Sequence, residues 1–264
     1  MWSITNVCSF PRGLSMFEFS IAIPAHDRGE NGPKWMGELL DSLEKQTFQD
    51  FEVVVSDQSK SDDIMNVCKE YDFDFTYIKY EGSVPCENIN IAVDNCEGRI
   101  VKLMFSDDIF MSKDALERIK YEYDTNDCKW AFSGFANWDG DSYFDEKLPE
   151  WREKTLEGNN HLSSPTVVSF LNEYKQEFDV NLKLLLDVDF YHRMRWNNGR
   201  PNIIPEVLVA NREHDDRISS QATSQYDCVV EHPDGGWMMN SKELRYVTQK
   251  YPEFIINGKY PDEN

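Results

Sequence analysis

The chain has 264 residues, 40% of them hydrophobic, and a formal charge of −21 from 48 acidic and 27 basic side chains. That balance excludes a nucleic-acid binder, which needs a basic stripe against phosphates, and electrostatic attachment to an anionic membrane surface. The length suits one large α/β domain, and no apolar run is long enough to make a transmembrane segment.

The acids are spread along the sequence, as on a solvated surface. An anionic substrate would therefore need a locally positive site, and a bound divalent cation would help. No basic stretch followed by an apolar one opens the chain, so no secretory signal is read. Met16 offers an alternative start, and residues 1–16 read as an N-terminal extension. The six cysteines, Cys8, Cys68, Cys86, Cys96, Cys128 and Cys228, form no C-x-x-C pair. They argue against a zinc knuckle and for free thiols in a reducing compartment, hence a cytoplasmic location.

In chain order, Phe19–Pro24 is a short apolar strand, followed by a turn-rich stretch to Pro33. Trp35, Met36, Leu39, Leu40 and Leu43 recur at helical spacing. Phe51–Ser56 is a second, Val-rich strand ending at Asp57. Ile64, Val67 and Cys68 mark a short helix, Phe75–Tyr80 a third strand, and Asn88–Cys96 a helix that Gly98 is placed to end. Arg99–Phe105 is a fourth strand. Alternation at this pitch implies parallel strands with crossover helices. Beyond Ser112 the pattern loosens. Ala115–Tyr123 reads as a helix and Trp130–Trp138 as a strand, whereas residues 139–164 read as a long lid or binding loop. Thr166–Tyr174 and Leu182–Trp196 read as helices, and Asn202–Asn211 as a strand broken by Pro205. Residues 215–240 read as loop, and Lys242–Tyr251 as a last helix capped by Ser241.

The densest chemistry lies where an apolar run, Arg99 to Phe105, ends in Asp107 and Asp108. In open α/β sheets ligands bind beyond the carboxyl ends of such strands. Two carboxylates there make a hard-oxygen site suited to Mg or Mn carrying a phosphate, or else cap the helix that starts near Ser112. Asp57 also ends a strand. It can accept from a base N–H or a ribose hydroxyl, or cap a turn with Ser59 and Ser61.

Ser20 to Asp27 (Ser-Ile-Ala-Ile-Pro-Ala-His-Asp) resembles the opening strand of family 2 glycosyltransferases with the GT-A fold. Leu43 to Asp57 is similar to that family's next helix and strand, and Ser106-Asp107-Asp108 sits where its metal-binding "DxD" element belongs. The similarity covers about residues 17–120 and, more weakly, 160–220. It implies a GT-A-like (Rossmann-like) α/β domain: a mixed, mainly parallel sheet flanked by helices, in one compact domain with a C-terminal helical extension. Residues 17–110 would form the nucleotide-sugar half, 111–220 the acceptor half and 221–264 the C-terminal extension.

The resemblance also assigns roles. Pro24, Ala25 and His26 would line the nucleotide pocket with Asp57 and Asn88. Asp107 would lie near the ribose, and Asp108 would hold a Mn2+ or Mg2+ ion on the diphosphate. Glu87 stands where the family often has a basic residue, which leaves the nucleotide open, with a UDP-sugar foremost; Asn88 can equally cap its helix. Leu185 to Arg193 is similar to the family's "ED" catalytic segment, with Leu186 in place of the usual Glu. Asp187 would be the base that takes the acceptor's proton, and Asp189 would be solvated or salt-bridged. Asn211 to Arg217 resembles the late "R-x-H" segment. There His214 would ligate the metal or touch phosphate, and Arg212 or Arg217 would neutralise the diphosphate. Trp138, Trp151, Trp196 and Trp237 are candidates for stacking on an acceptor sugar.

The reading is a metal-dependent, inverting transferase that moves a sugar from a nucleotide-diphosphate sugar to a glycan or other hydroxyl acceptor. Two alternatives stand beside it. A sugar nucleotidyltransferase would carry a Gly-rich basic loop after its first strand, and Ala25–Pro33 has one Arg and two Gly. A non-catalytic glycan- or nucleotide-binding module derived from a transferase would fit the replacements at Leu186 and Glu87, though not the intact acid pair.

Overall fold

A computed structural model describes residues 5–9, 17–29, 31–152, 160, 162–215, 217, 229–231, 237–239, 242–251 and 260. Met16, Ser241 and the side chains of Cys8, Cys228 and Trp237 lie outside the described residues.

The elements in chain order are β1 (Thr5–Ser9), β2 (Phe19–Ala25), α1 (Gly32–Glu44), β3 (Phe51–Asp57), α2 (Asp63–Cys68), β4 (Asp74–Lys79) and α3 (Pro85–Asp94). Next come β5 (Ile100–Leu103), β6 (Ile109–Phe110), α4 (Ala115–Thr125), β7 (Trp130–Trp138), β8 (Tyr143–Lys147) and β9 (Val168–Leu171). The chain continues with α5 (Leu186–Asn198), β10 (Asn202–Arg212), β11 (Val229–Glu231), β12 (Trp237–Met239) and α6 (Lys242–Lys250).

The main sheet runs β1-β4-β3-β2-β5-β9-β7-β10-β6, with β8 paired to β7. Strands β4, β3, β2 and β5 are mutually parallel. β9 is antiparallel to both β5 and β7, and β7 and β10 are parallel. The sheet is thus mixed, with a four-strand parallel run at β4-β3-β2-β5 and helices on its faces. Strands β2 and β3 are buried along their whole length, as expected where helices cover both faces. α1 packs with Trp35, Met36, Leu39, Leu40 and Leu43 buried, at the spacing seen in the sequence.

Gly98 does not end α3, which finishes at Asp94 with Asn95 as its cap. It passes against β2, where a Cβ would meet the Phe19 carbonyl carbon at 2.5 Å. The missing side chain also brings the Gly98 N–H to Ser20 Oγ at 2.7 Å, and Ser20 Oγ donates to the buried Glu52.

The second half differs from the periodic reading in four places. Thr166–Tyr174 is not a helix: a 3-10 turn at Pro165–Val167 leads into strand β9. Its four residues fill the slot between β5 and β7, where strand pairing outweighs local preference. Inside the expected long loop, β8 folds back on β7 as a hairpin. Pro205 does not break β10; the register with β7 shifts around Val207 instead, which is how a sheet accommodates a residue without an N–H. Within residues 215–240, β11 and β12 form a small antiparallel pair. β1, from the segment read as an extension, lies antiparallel to β4 at the sheet edge. Cys68, Cys86, Cys96 and Cys128 are free and buried. None of the described helices is long and apolar enough to cross a membrane.

Candidate active site

The carboxyl ends of β2, β3 and β5 and the start of β6 converge at one edge of the sheet. Asp107 and Asp108 follow β5 there and are 7% and 4% exposed. They sit in the turn between β5 and β6, where the Asp108 N–H donates to the Phe105 carbonyl at 3.0 Å, and their side chains take different partners. The Oδ2 of Asp107 lies 2.9 Å from Nε2 of His214, and both side chains keep about a tenth of their surface open to solvent. Asp108 turns inward. Its Oδ1 accepts the Arg212 backbone N–H at 2.9 Å, and its Oδ2 accepts the Thr166 hydroxyl. The structure therefore pairs His214 with Asp107, not with Asp108.

The two carboxyls are held in different states. Burial pushes Asp107 up, but the His214 hydrogen bond and the Arg28 charge outweigh it and leave the group below the ordinary range. Burial and the adjacent Asp107 charge push Asp108 up to about 7. One carboxylate is thus the anionic face of the site and the other its inner support.

Arg212 ends β10 and ties the site together. Its Nε donates to the Asp107 carbonyl at 2.9 Å, and its Nη2 pairs with Glu38 of α1. The guanidinium lies 3.9 Å from the ring centre of Trp138 and 5.2 Å from that of Trp35. Trp35 also carries His214, with ring centres 4.4 Å apart. Trp138 is therefore partly occupied by Arg212. Trp151 packs against Trp130 and Tyr260, and Trp196 against His192 and Tyr260. Arg217 pairs with Glu213 and lies near enough to Asp108 to favour its charged form.

Asp57 is fully buried at the end of β3. Its carboxylate accepts from Tyr77, from Lys79 at 2.8 Å and from the Ser59 N–H at 2.8 Å. Asn88 lies within α3, whose cap is Val84. Asn88 accepts from Ser56 at 2.6 Å and donates to the Ala25 carbonyl at 3.1 Å, clamping the ends of β2 and β3 together. Pro24 and Ala25 occupy the last positions of β2, both buried. Beyond them His26 is 43% exposed at its side chain and lies 3.0 Å from Asp27. Glu87 accepts from Tyr80 and so closes the loop between β4 and α3.

Asp187 stands in the first turn of α5. Its Oδ1 accepts the Val188 N–H at 2.7 Å, and its Oδ2 accepts from Asn160. Burial raises its carboxyl to about 6. Asp189 is fully buried and takes Arg193, Lys250 and the Tyr251 hydroxyl, so it is salt-bridged and fully engaged. A hydrogen-bonded chain joins Asp187 to the acid pair. Asn160 bonds the Ser163 carbonyl, Ser163 Oγ accepts from Asn211 at 2.7 Å, and Asn211 precedes Arg212 in β10.

The sequence reading passed over Glu38, Lys102, Asn160, Thr166 and Asn211. Only Lys102 carried a local signal, a lone cation in an apolar strand. It is fully buried, donates to the Thr166 carbonyl, and is lowered by burial to about 7.

The sequence model of glycosyl transferase family 2 matches residues 20–183, more than half of the chain. A poly(ribitol-phosphate) beta-N-acetylglucosaminyltransferase, TarS of Staphylococcus aureus, is 31% identical over 108 residues, covering 39% of this chain and 18% of that protein. An uncharacterised glycosyltransferase of Rickettsia felis is 29% identical over 111 residues, covering 40% of this chain and 17% of the relative. The chain thus matches less than a fifth of the length of these relatives.

In three dimensions, a crystal structure of TarS residues 1–349 in complex with UDP-GlcNAc superposes with a TM-score of 0.66 at 20% identity. It covers 91% of this chain and 67% of that one. A mannosyltransferase from Pyrobaculum calidifontis in complex with GDP-Man and Mn2+ superposes with a TM-score of 0.55 at 15% identity, covering 99% and 69%. The fold is that of GT-A glycosyltransferases, and by the family match the chain belongs to glycosyl transferase family 2.

Proposed function

We propose that the chain transfers a sugar from a nucleoside-diphosphate sugar to a hydroxyl-bearing acceptor, a glycan foremost, with inversion at the sugar carbon. The observation that carries this reading is the pairing of Asp107 with His214 at the sheet edge, joined through Asn211, Ser163 and Asn160 to Asp187. The proposed diphosphate corner and the proposed base are thus linked by hydrogen bonds and the Asn211–Arg212 peptide, which supports their working together.

A carboxylate oxygen and an imidazole nitrogen make a two-donor set. That set fits a Mn2+ or Mg2+ ion, which takes its remaining ligands from water and substrate phosphates. Asp107 and His214 would hold the ion, and bound there it would offset negative charge on the departing diphosphate. A metal neighbour of the same fold, the Pyrobaculum mannosyltransferase, contains Mn2+. Arg212 and Arg217 supply positive charge on the same side.

Asp187 acts on the acceptor. Its carboxyl, raised to about 6, is ionised at neutral pH yet close enough to it to take a proton effectively. The acceptor hydroxyl donates its proton to the free lone pairs of Asp187 as its oxygen attacks the sugar carbon. The C–O bond to the diphosphate breaks as the new one forms. Asp189, held by Lys250, Arg193 and Tyr251, has no part in that proton transfer. The TarS complexes hold UDP and UDP-GlcNAc, which supports a uridine donor.

The test is calorimetric titration of UDP, GDP and dTDP with and without Mn2+, followed by donor turnover with glycan acceptors. A uridine nucleotide that Mn2+ tightens at least tenfold, with the gain lost in His214→Ala, supports the reading. No nucleotide tightened by Mn2+ overturns the metal assignment, and Mn2+-dependent binding without turnover favours a binding module.

A further inference from the structure

We infer that Glu243, reaching from helix α6, is a positioning residue that fixes the first turn of α5 and so aims Asp187. This rests on the reading of Asp187 as base. α5 begins without a side-chain cap: its N-cap is Leu185, which has no polar side chain. The N-cap amide of Leu185 and the amides of the two residues leading into it need partners, while the Val188 N–H is taken by Asp187 itself. The partner for these three comes from far along the chain. The Glu243 carboxylate accepts the N–H groups of Lys183 at 3.0 Å, Leu184 at 2.8 Å and Leu185 at 3.0 Å. Three consecutive amides on one carboxylate define the path of the backbone that delivers Asp187 two residues later.

The far end of α6 holds the same region. Lys250 bridges Asp179 and Asp189, Tyr246 donates to Asp179 at 3.0 Å, and Tyr251 donates to Asp189 at 2.8 Å. One helix therefore pins both the approach to α5 and its second acid. A charged acceptor suits this position, because the start of a helix carries partial positive charge. The neighbouring Asp187 feels the same carboxylate, which disfavours its ionised form. Among the described residues, Tyr191 on the same helix is also coupled to Asp187.

The experiment compares Glu243→Ala and Glu243→Gln with the unaltered chain, with Asp187→Asn as reference. Three readouts are taken: kcat and donor KM, the pH profile of kcat, and hydrogen exchange of the amides of residues 183–188. The expected result for Glu243→Ala is a fall in kcat of at least tenfold, a donor KM within twofold, and an acidic limb displaced to lower pH. Exchange at residues 183–185 should accelerate at least tenfold, and Glu243→Gln, which keeps one acceptor oxygen, should recover part of kcat and of the protection. Unchanged exchange at those amides overturns the inference whether or not the chain turns over. Unchanged kcat and pH limb overturn it where Asp187→Asn is inactive. If Asp187→Asn keeps full activity while Glu243→Ala loosens residues 183–185, the base assignment is what fails.

Discussion

The two halves of the sheet use polar residues in opposite ways. On the β2–β3–β4 side, Asp57 and Asn88 are satisfied from within that same block of parallel strands and their connections: Tyr77, Lys79 and Ser59 for the one, Ser56 and Ala25 for the other. That half is a preformed frame. On the β9–β7–β10 side, polar residues bridge distant segments, as Arg212 does to Asp107 and Thr166 to Asp108. The difference teaches where chemistry can be tuned. Changing the frame should cost stability, whereas changing the bridges should cost turnover.

The largest effect should come from Asp187→Asn. Loss of a general base lowers kcat by about 10²–10⁴-fold, with nucleotide affinity and melting temperature unchanged. The unaltered enzyme should lose turnover as pH falls through about 6, since the base works only when deprotonated. Steady-state kinetics from pH 5 to 8 checks both, and a melting shift comparable to that of a frame variant would break the comparison.

Lys102 tests the seam between the halves. Burial lowers its pKa from 10.5 to about 7. A group depressed on folding adds stability above its unfolded pKa and loses it as pH falls through the folded one. Denaturant titrations should therefore show the unaltered protein gaining on Lys102→Met between pH 7 and 10.5, with a slope of at most about 1.36 kcal/mol per pH unit for one proton. A flat difference would show that Lys102 folds charged.

Asn88→Ala removes two buried hydrogen bonds of the frame, and about 1–3 kcal/mol of stability should go with them. Urea unfolding measures this; kcat of the remaining folded enzyme should hold within a few fold. The smallest effect is expected for Trp35→Phe. It keeps a ring in the α1 packing but offers a weaker face to Arg212 and His214, and about 0.5–1 kcal/mol of Mn2+-dependent nucleotide affinity should disappear in calorimetry. A larger loss would mean that Trp35 touches the nucleotide itself.

What the chain shows on its own depends on where each contact is made. Strands β2 to β5 and their helices follow from period: Phe51–Asp57 and the Trp35–Leu43 spacing are local patterns, and local burial sets them. Asp107, Asp108, Asp187, Arg212 and His214 could be named because motifs are short. Their division of labour could not, since it depends on which way consecutive residues point once β5 ends. The strand at Val168–Leu171, the bridge from Asn160 to Asp187 and the hold of Glu243 on α5 were invisible. Each joins residues that only folding brings together: 27 positions apart for the Asn160–Asp187 pair and 58 to 60 for Glu243. Sequence alone settled the family and named the candidate acids. Tertiary structure decided which acid faces outward, because side-chain direction and long-range pairing are properties of the assembled sheet.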